Sequence, residues 1–492
     1  MTDRPPADAG HMTPQQFREH GRAVVDWIAD YLETVQSRPV RSPSVPGQIA
    51  AGLPAHPPER GEDFASVLGD LEELVLPGVT HWQHPRFFAY FPANASGPAI
   101  LGDLLSAGLG VQGMLWVTSP ACTELETVVV DWLAELLGLP DRFRSESAGG
   151  GVIADSTSSA NLLALLAALQ RASDGEVARE GVRRQYAVYV SSQTHSSMEK
   201  AARIAGVGSA ALRQVDVDPV TLAMDPADLR RRLIEDSAAG LQPVLVCATV
   251  GTTATCAIDP IADIGALCRE FGAWLHVDAA YAGAAAVCPE LRWINDGVAD
   301  YADSYCTDPH KWLLTNFDCT AFWVADRVAL TGALSVLPEY LRNQASESGA
   351  VVDYRDWQVP LGRRFRGLKL WAVIRWYGAE GLRAHIRHHV ALAQEFAGWV
   401  REDEFFEVVA AHPLSLVVFR PRWTGLDAPA ADEATAAALE RLNAGGEVYL
   451  THCTVGGRIA LRLAVGAVST QREHVQQAWA AIRAAYAVPA RS

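Results

Sequence analysis

Short apolar runs alternate with longer amphipathic segments through the middle of this chain. Val188-Tyr189-Val190, Val244 to Ala248, Trp274 to Val277 and Cys319 to Val324 are apolar runs of the kind that form buried strands. Leu162 to Leu169 and Ile261 to Phe271 carry apolar residues at helical spacing. Strands and helices in alternation over about residues 99–328 predict an α/β unit with a mostly parallel sheet. Beyond Leu368 the pattern changes to long helices, Leu368 to Tyr377 and Leu382 to Val400. Short strands follow, such as Leu414 to Phe419 and Ile459 to Leu463, which predicts a small α+β unit.

The amino-terminal stretch reads differently. Met1 to Met12 is small and polar and is expected to be disordered. Thr13 then caps a helix with Pro14 at its first position and Gln16 completing a capping box. Val24, Ile28, Tyr31, Leu32 and Val35 form one apolar face. From Arg38 to Glu59 six prolines predict an extended strap, and a second helix is predicted from Phe64 to Leu76. An amphipathic helix on such a strap needs another surface to cover it, the main body or a second subunit. The predicted organisation is an N-terminal helical and extended segment (1–93), a large α/β unit (94–368) and a small α+β unit (369–492).

Composition narrows the classes. With 49% hydrophobic and 20% charged residues over 492 positions, the chain is an ordinary globular one of two or three structural units. Its net charge of −16 argues against a nucleic-acid or anionic-membrane partner. No apolar run has membrane-span length and no signal region opens the chain. The eight cysteines lack metal-ligand or C-x-x-C spacing, and several lie in apolar runs, so buried free thiols in a reducing cytoplasm are expected.

Candidate chemistry centres on Asp308-Pro309-His310-Lys311-Trp312, a polar corner between two apolar strands. Beside Trp312, Leu313 and Leu314 an ammonium loses solvation, which predicts a lowered pKa and a nucleophilic amine. A lysine snorkelling to water is the commoner arrangement, so the neighbouring motifs decide. The strand Trp274 to Val277 stops at Asp278, a carboxylate at a strand's carboxyl end. Small residues, Ala279, Ala280, Ala282 and Gly283, leave room there for a flat ligand. Gly149-Gly150-Gly151 precedes Ser156-Thr157-Ser158-Ser159 at a predicted helix start, a composition suited to a phosphate cup. His195 follows one strand in a polar loop, and Gly251-Thr252-Thr253 follows another. Phosphate cup, imidazole, threonine, carboxylate and lysine together are the parts of a pyridoxal 5'-phosphate site.

The ordered motifs Ser-x-Ser, His, Gly-Thr-Thr, His-Val-Asp-Ala-Ala-Tyr and Pro-His-Lys-Trp resemble the group II pyridoxal-phosphate decarboxylases. Within them the chain is most similar to the aromatic-L-amino-acid decarboxylases, from Thr13 onward. The blocks Pro77 to Trp82, Phe87 to Pro92, Ser119 to Glu126 and Pro360 to Arg366 carry the same likeness. The resemblance implies the aspartate-aminotransferase-like α/β fold (fold type I) and a homodimer clasped by the Thr13 helix and strap. It implies Lys311 as the Schiff-base lysine, Asp278 as the partner of the pyridinium nitrogen, and His195 and Ala280 on the two ring faces. Thr253 would lie near the ring hydroxyl, and Ser156, Thr157, Ser158 and His310 would hold the phosphate. Asp308 stands where the family often has Asn, and a carboxylate beside a phosphate is repulsive, so it stays outside that set.

The implied reaction removes CO2 from an aromatic L-amino acid and returns a proton to Cα. The resemblance places the proton donor, Tyr340, in a mobile lid that includes Asn343 to Ala350. Relatives that yield aldehydes tend to lack this tyrosine or the stacking histidine, and both are present here. Trp82, Tyr90, Phe91 and Pro92 resemble the family's aromatic side-chain pocket. Gly362 leans away from histidine as substrate. Ala93 replaces a usual threonine, and Gln112 and Met114 stand where mammalian relatives place residues contributed by the neighbouring subunit. The alternatives are an aromatic aldehyde synthase, a histidine decarboxylase, or a non-catalytic protein of the same fold.

Overall fold

The apolar runs pair into one seven-stranded sheet in the computed structural model, which describes residues 10–336, 351–411 and 413–487. The strands are β1 (Gly150–Ala154), β2 (Tyr186–Ser191), β3 (Leu212–Val215), β4 (Gln242–Thr249), β5 (Trp274–Asp278), β6 (Ser304–Thr307) and β7 (Thr320–Val324). Their order is β1-β7-β6-β5-β4-β2-β3, and only β7 runs against its neighbours. Successive residues serve opposite faces. Val246, Ala248, Leu275 and Val277 enter one core with the Pro120–Leu137 and Ile261–Phe271 helices. Leu245, Cys247, Trp274 and Cys306 enter another beneath the Thr157–Ala172 helix. Burial on both faces is why these strands lack polar alternation.

A second, antiparallel sheet has the order β10-β11-β9-β8, from β8 (Phe406–Val408), β9 (Leu416–Pro421), β10 (Thr451–Val455) and β11 (Arg458–Ala464). The Ala428–Ala444 and Arg472–Ala487 helices share its core through Ala438, Leu442, Val475 and Ile482. The long helix Arg366–Glu402 breaks at Gly378, whose φ of 61° splits it into the two predicted helices.

The Pro14–Thr34 helix has the predicted capping box between Thr13 and Gln16, yet none of its residues is buried. Only Val35, just beyond it, is covered. The strap departs from the expected extended course at Gln48–Gly52, a short helix entered through Gly47. The helix after it is α-helical only over Phe64–Asp70. All eight cysteines are free, and seven are buried. Among the described residues no helix is long and apolar enough to cross a membrane.

The run Gly149-Gly150-Gly151 differs from its predicted use. Gly150 and Gly151 open β1, and just before them a Cβ at Gly149 would lie 2.1 Å from Arg142 O and 2.3 Å from Val324 O. At Gly151 it would meet Val130 and Trp323. These glycines admit neighbouring protein, not a phosphate.

Candidate active site

Parallel pairing brings the carboxyl ends of β1, β2, β4, β5 and β6 to one edge of the sheet, and every loop singled out by the motifs leaves from there. Thr249, Asp278 and Cys306 stand in register at the ends of three adjacent strands. The Asp308 N–H donates to Ala280 O at 2.8 Å, tying the lysine turn to the residues after Asp278. Pro309–Trp312 forms a single helical turn that brings Lys311 back toward Asp308.

Lys311 Nζ lies 2.8 Å from Asp308 Oδ2. The other oxygen of Asp308 accepts hydrogen bonds from Thr157 Oγ1 at 2.7 Å and from Thr320 Oγ1. Burial works against the charge on Asp308, but Lys311, His310 and these donors hold its pKa below the ordinary carboxylate value. Burial likewise opposes the charge on Lys311, but Asp308 outweighs it, and the ammonium is held above the ordinary lysine value. The lowered lysine pKa expected from Trp312, Leu313 and Leu314 is therefore wrong. The aspartate inside the same turn reverses its sign.

Asp278 is 3% exposed. Its oxygens accept from Asn161 Nδ2 and the Ala280 N–H, each at 3.1 Å. His195 Nδ1 lies 2.8 Å from Ser197 Oγ and accepts the Ser197 N–H at 3.2 Å. Burial lowers the His195 pKa despite the opposing pull of Asp278.

The hydroxyls at the start of the Thr157–Ala172 helix divide their work. Ser156 is the N-cap and accepts from the Ser159 N–H, Thr157 turns to Asp308, and Ser158 stays partly exposed. His310 is fixed by Nδ1, 2.8 Å from Cys319 O. Thr253 is exposed, and its carbonyl accepts from Arg462 Nη2 at 2.6 Å.

Arg462 escaped the sequence reading. Buried at 3% exposure, it also donates to Ala254 O, Thr451 Oγ1 and Tyr90 O, so the second sheet grips both the Thr253 loop and the aromatic segment. That segment is pinned to the lysine turn as well, because the Asn94 N–H donates to His310 O at 2.8 Å and Asn94 Oδ1 accepts from the Leu314 N–H. Phe91 stacks on Tyr281 at 3.7 Å, and Tyr281 on Trp312 at 4.7 Å. Trp82 stacks with Tyr90 at 5.7 Å, and both remain part-exposed. Pro92 is buried against Gly466.

Gln112 and Gly362 form a separate group. Gln112 Oε1 accepts from the Arg363 N–H at 2.6 Å, and a Cβ at Gly362 would lie 3.0 Å from Gln112 Nε2. Met114 O accepts from the Arg355 N–H. Among the described residues no hydrogen bond joins this group directly to Lys311 or Asp278. Tyr340 and the predicted lid residues Asn343 to Ala350 lie outside the described residues.

The donor set suits pyridoxal phosphate: a buried carboxylate for a pyridinium nitrogen, a lysine amine for an aldehyde, an imidazole, and a helix N-terminus with hydroxyls for a phosphate. The model of the pyridoxal-dependent decarboxylase conserved domain matches residues 46–422. Over 475 residues, 96% of each protein, the chain is 46% identical to phenylacetaldehyde synthase of Arabidopsis thaliana. It is 44% identical to aromatic-L-amino-acid decarboxylase of Mus musculus, covering 95% of this chain and 97% of that one. A crystal structure of Oryza sativa TDC with PLP and tryptamine superimposes with a TM-score of 0.93 at 43% identity, covering 99% of both chains. The fold is that of a pyridoxal-phosphate enzyme of fold type I. The chain belongs to the pyridoxal-dependent decarboxylase family.

Proposed function

We propose that this enzyme decarboxylates an aromatic L-amino acid to the corresponding arylalkylamine. The observation that carries the reading is the fastening of the Tyr90 to Asn94 segment to the lysine turn, with Phe91, Tyr281 and Trp312 stacked on one another there. Bound pyridoxal phosphate supplies a conjugated ring that takes up the electron pair left at Cα when the carboxylate departs as CO2. Lys311 would hold the cofactor through its Nζ amine. Asp278, oriented by Asn161 and the Ala280 N–H, would pair with the pyridinium nitrogen. His195 and Ala280 would flank the ring, while Thr253 would serve its hydroxyl. Ser156, Thr157, Ser158 and His310 would take the phosphate, and Tyr340 would return the proton to Cα.

Trp82, Tyr90, Phe91 and Pro92 favour a flat apolar ring over a charged side chain. Gly362, where a Cβ would lie 3.0 Å from Gln112 Nε2, leaves room that supports the preference for larger rings over histidine. A second copy of the chain suits the exposed apolar face of the Gly97–Leu109 helix, where Leu101, Leu104, Leu105 and Leu109 are each more than half exposed. Gln112 and Met114 follow that helix and would reach the partner's pocket. The buried free thiols support a reducing, cytoplasmic setting.

The test is product analysis with dopa, 5-hydroxytryptophan, tyrosine, tryptophan, phenylalanine and histidine. Amine and CO2 in equal amounts from an aromatic substrate support the reading. Aldehyde with hydrogen peroxide would establish the second reading, an aldehyde synthase, which the likeness to the Arabidopsis protein favours. Lys311→Ala should lose the visible cofactor band that borohydride abolishes in the wild type.

A further inference from the structure

A row of buried polar groups runs behind the site from the core to His195. Trp274 Nε1 donates to Ser304 Oγ at 2.8 Å, and Ser304 Oγ lies 2.8 Å from His276 Nδ1. His276 Nε2 lies 2.8 Å from Asn161 Oδ1. Asn161 Nδ2 reaches Ser197 Oγ at 2.8 Å and Asp278 Oδ2 at 3.1 Å. Ser197 Oγ meets His195 Nδ1. Trp274, Ser304, His276 and Asn161 are fully buried, so water does not compete for these groups.

The bond directions follow from the Asp278 carboxylate, which only accepts, so the Asn161 amide nitrogen faces it and the Asn161 carbonyl faces His276. A carbonyl also only accepts, so the His276 proton sits on Nε2 and is donated to Asn161. Burial keeps His276 neutral, so its Nδ1 accepts from the Ser304 hydroxyl, whose oxygen takes the Trp274 N–H. The Asn161 amide has two N–H donors, and both are used, one for Asp278 and one for Ser197. The Ser197 N–H points at His195 Nδ1, so that atom carries a lone pair, and the Ser197 hydroxyl, its oxygen accepting from Asn161, donates its proton to the same atom.

We propose that Asn161 is a positioning residue whose single amide orients the Asp278 carboxylate and, through Ser197, keeps His195 neutral with its proton on Nε2. A proton on Nδ1 would face two donors at once. The charged groups around His195 are Asp278 and Asp308, which favour an imidazolium, and Lys311 and Lys200, which oppose it along with burial. Losing the Ser197 donors would free Nδ1 to take a proton and shift this balance toward the imidazolium. The inference is independent of which substrate the enzyme takes.

The test is nitrogen-15 NMR of full-length, histidine-labelled protein with and without pyridoxal phosphate, the His195 signals being identified by their loss in His195→Gln. Wild-type His195 should hold its proton on Nε2 and titrate below the ordinary imidazole value. In Asn161→Asp the new carboxylate can only accept, which turns the Ser197 hydroxyl away from Nδ1. The His195 midpoint should then rise by about one unit or more. Ser197→Ala, which adds no charge, should raise it less, and it carries the test alone if Asn161→Asp does not fold. In the loaded enzyme the acidic limb of the kcat/KM profile should move with the NMR midpoint, whereas a merely structural defect lowers the profile at all pH values alike. A proton on Nδ1 in the wild type, or a midpoint that the substitutions leave in place, would overturn the proposal.

Discussion

Asp308 grips Lys311 with one carboxylate oxygen, Nζ to Oδ2 at 2.8 Å, while Thr157 and Thr320 hold the other. The residue that differs from the family's usual asparagine is thus the one that sets the charge of the lysine. Asp308→Asn keeps a carbonyl for the two threonines and removes the charge. The amine should become available at lower pH, moving the midpoint for cofactor uptake by the apoenzyme down by about one unit or more. Absorbance of the bound cofactor across a pH series reads this directly, and an unmoved midpoint would deny Asp308 that control.

Arg363 and Glu126 form an ion pair whose side chains are both fully buried. The Ile153 N–H donates to Glu126 Oε1 at 2.8 Å and Arg363 Nη2 to Ile153 O at 3.1 Å, which caps the free edge of β1 just ahead of Ser156. Arg363→Ala strands a buried carboxylate and should cost about 3–5 kcal/mol of stability. Denaturant unfolding of the variant measures it, and a loss below 1 kcal/mol would show that the pair is dispensable.

His276 is fully buried, and desolvation lowers its pKa from 6.5 to about 4. Because the unfolded chain binds this proton between those values and the folded chain does not, stability rises with pH across the window and is lost on acidification from 6.5 toward 4. The shift is worth up to about 3 kcal/mol. His276→Asn, compared with wild type by thermal unfolding at pH 7 and pH 5, should lose less stability on acidification. An equal loss in both proteins would assign the acid lability to other groups.

Tyr340→Phe removes the proposed proton donor. Amine formation should fall about 10²- to 10⁴-fold, the range of a general acid, while cofactor binding is unchanged. Amine produced at the wild-type rate would remove Tyr340 from the reaction.

Much of the scaffold was legible in the sequence because its strands are buried on both faces. The Ile261–Phe271 helix coincides with the predicted one, and β5 ends at Asp278 as the motif implied. β1 was not legible, since glycines chosen to admit Arg142 and Val324 look the same as glycines chosen to admit a ligand. β3, Leu212–Val215, sits at the sheet's edge with polar residues and lacks the apolar signature. Asn161 and Ser197 were passed over among capping hydroxyls, although an asparagine on the buried face of an apolar helix is itself a signal. Arg462 could not be found locally, because its partners Thr253 and Tyr90 are distant in sequence.

The thiols give the native state a clock. Burial pushes the pKa of Cys122 and Cys256 up to about 12, and Cys247, Cys268, Cys288, Cys306 and Cys319 are likewise covered and raised. Only Cys453 is partly accessible. The pKa of the Cys453 thiol is also raised, to about 11, but its partial exposure should let a chromogenic disulfide reagent label it first and reach the rest only as the fold opens. The slowest phase of labelling then times the opening of the sheet that carries the active site.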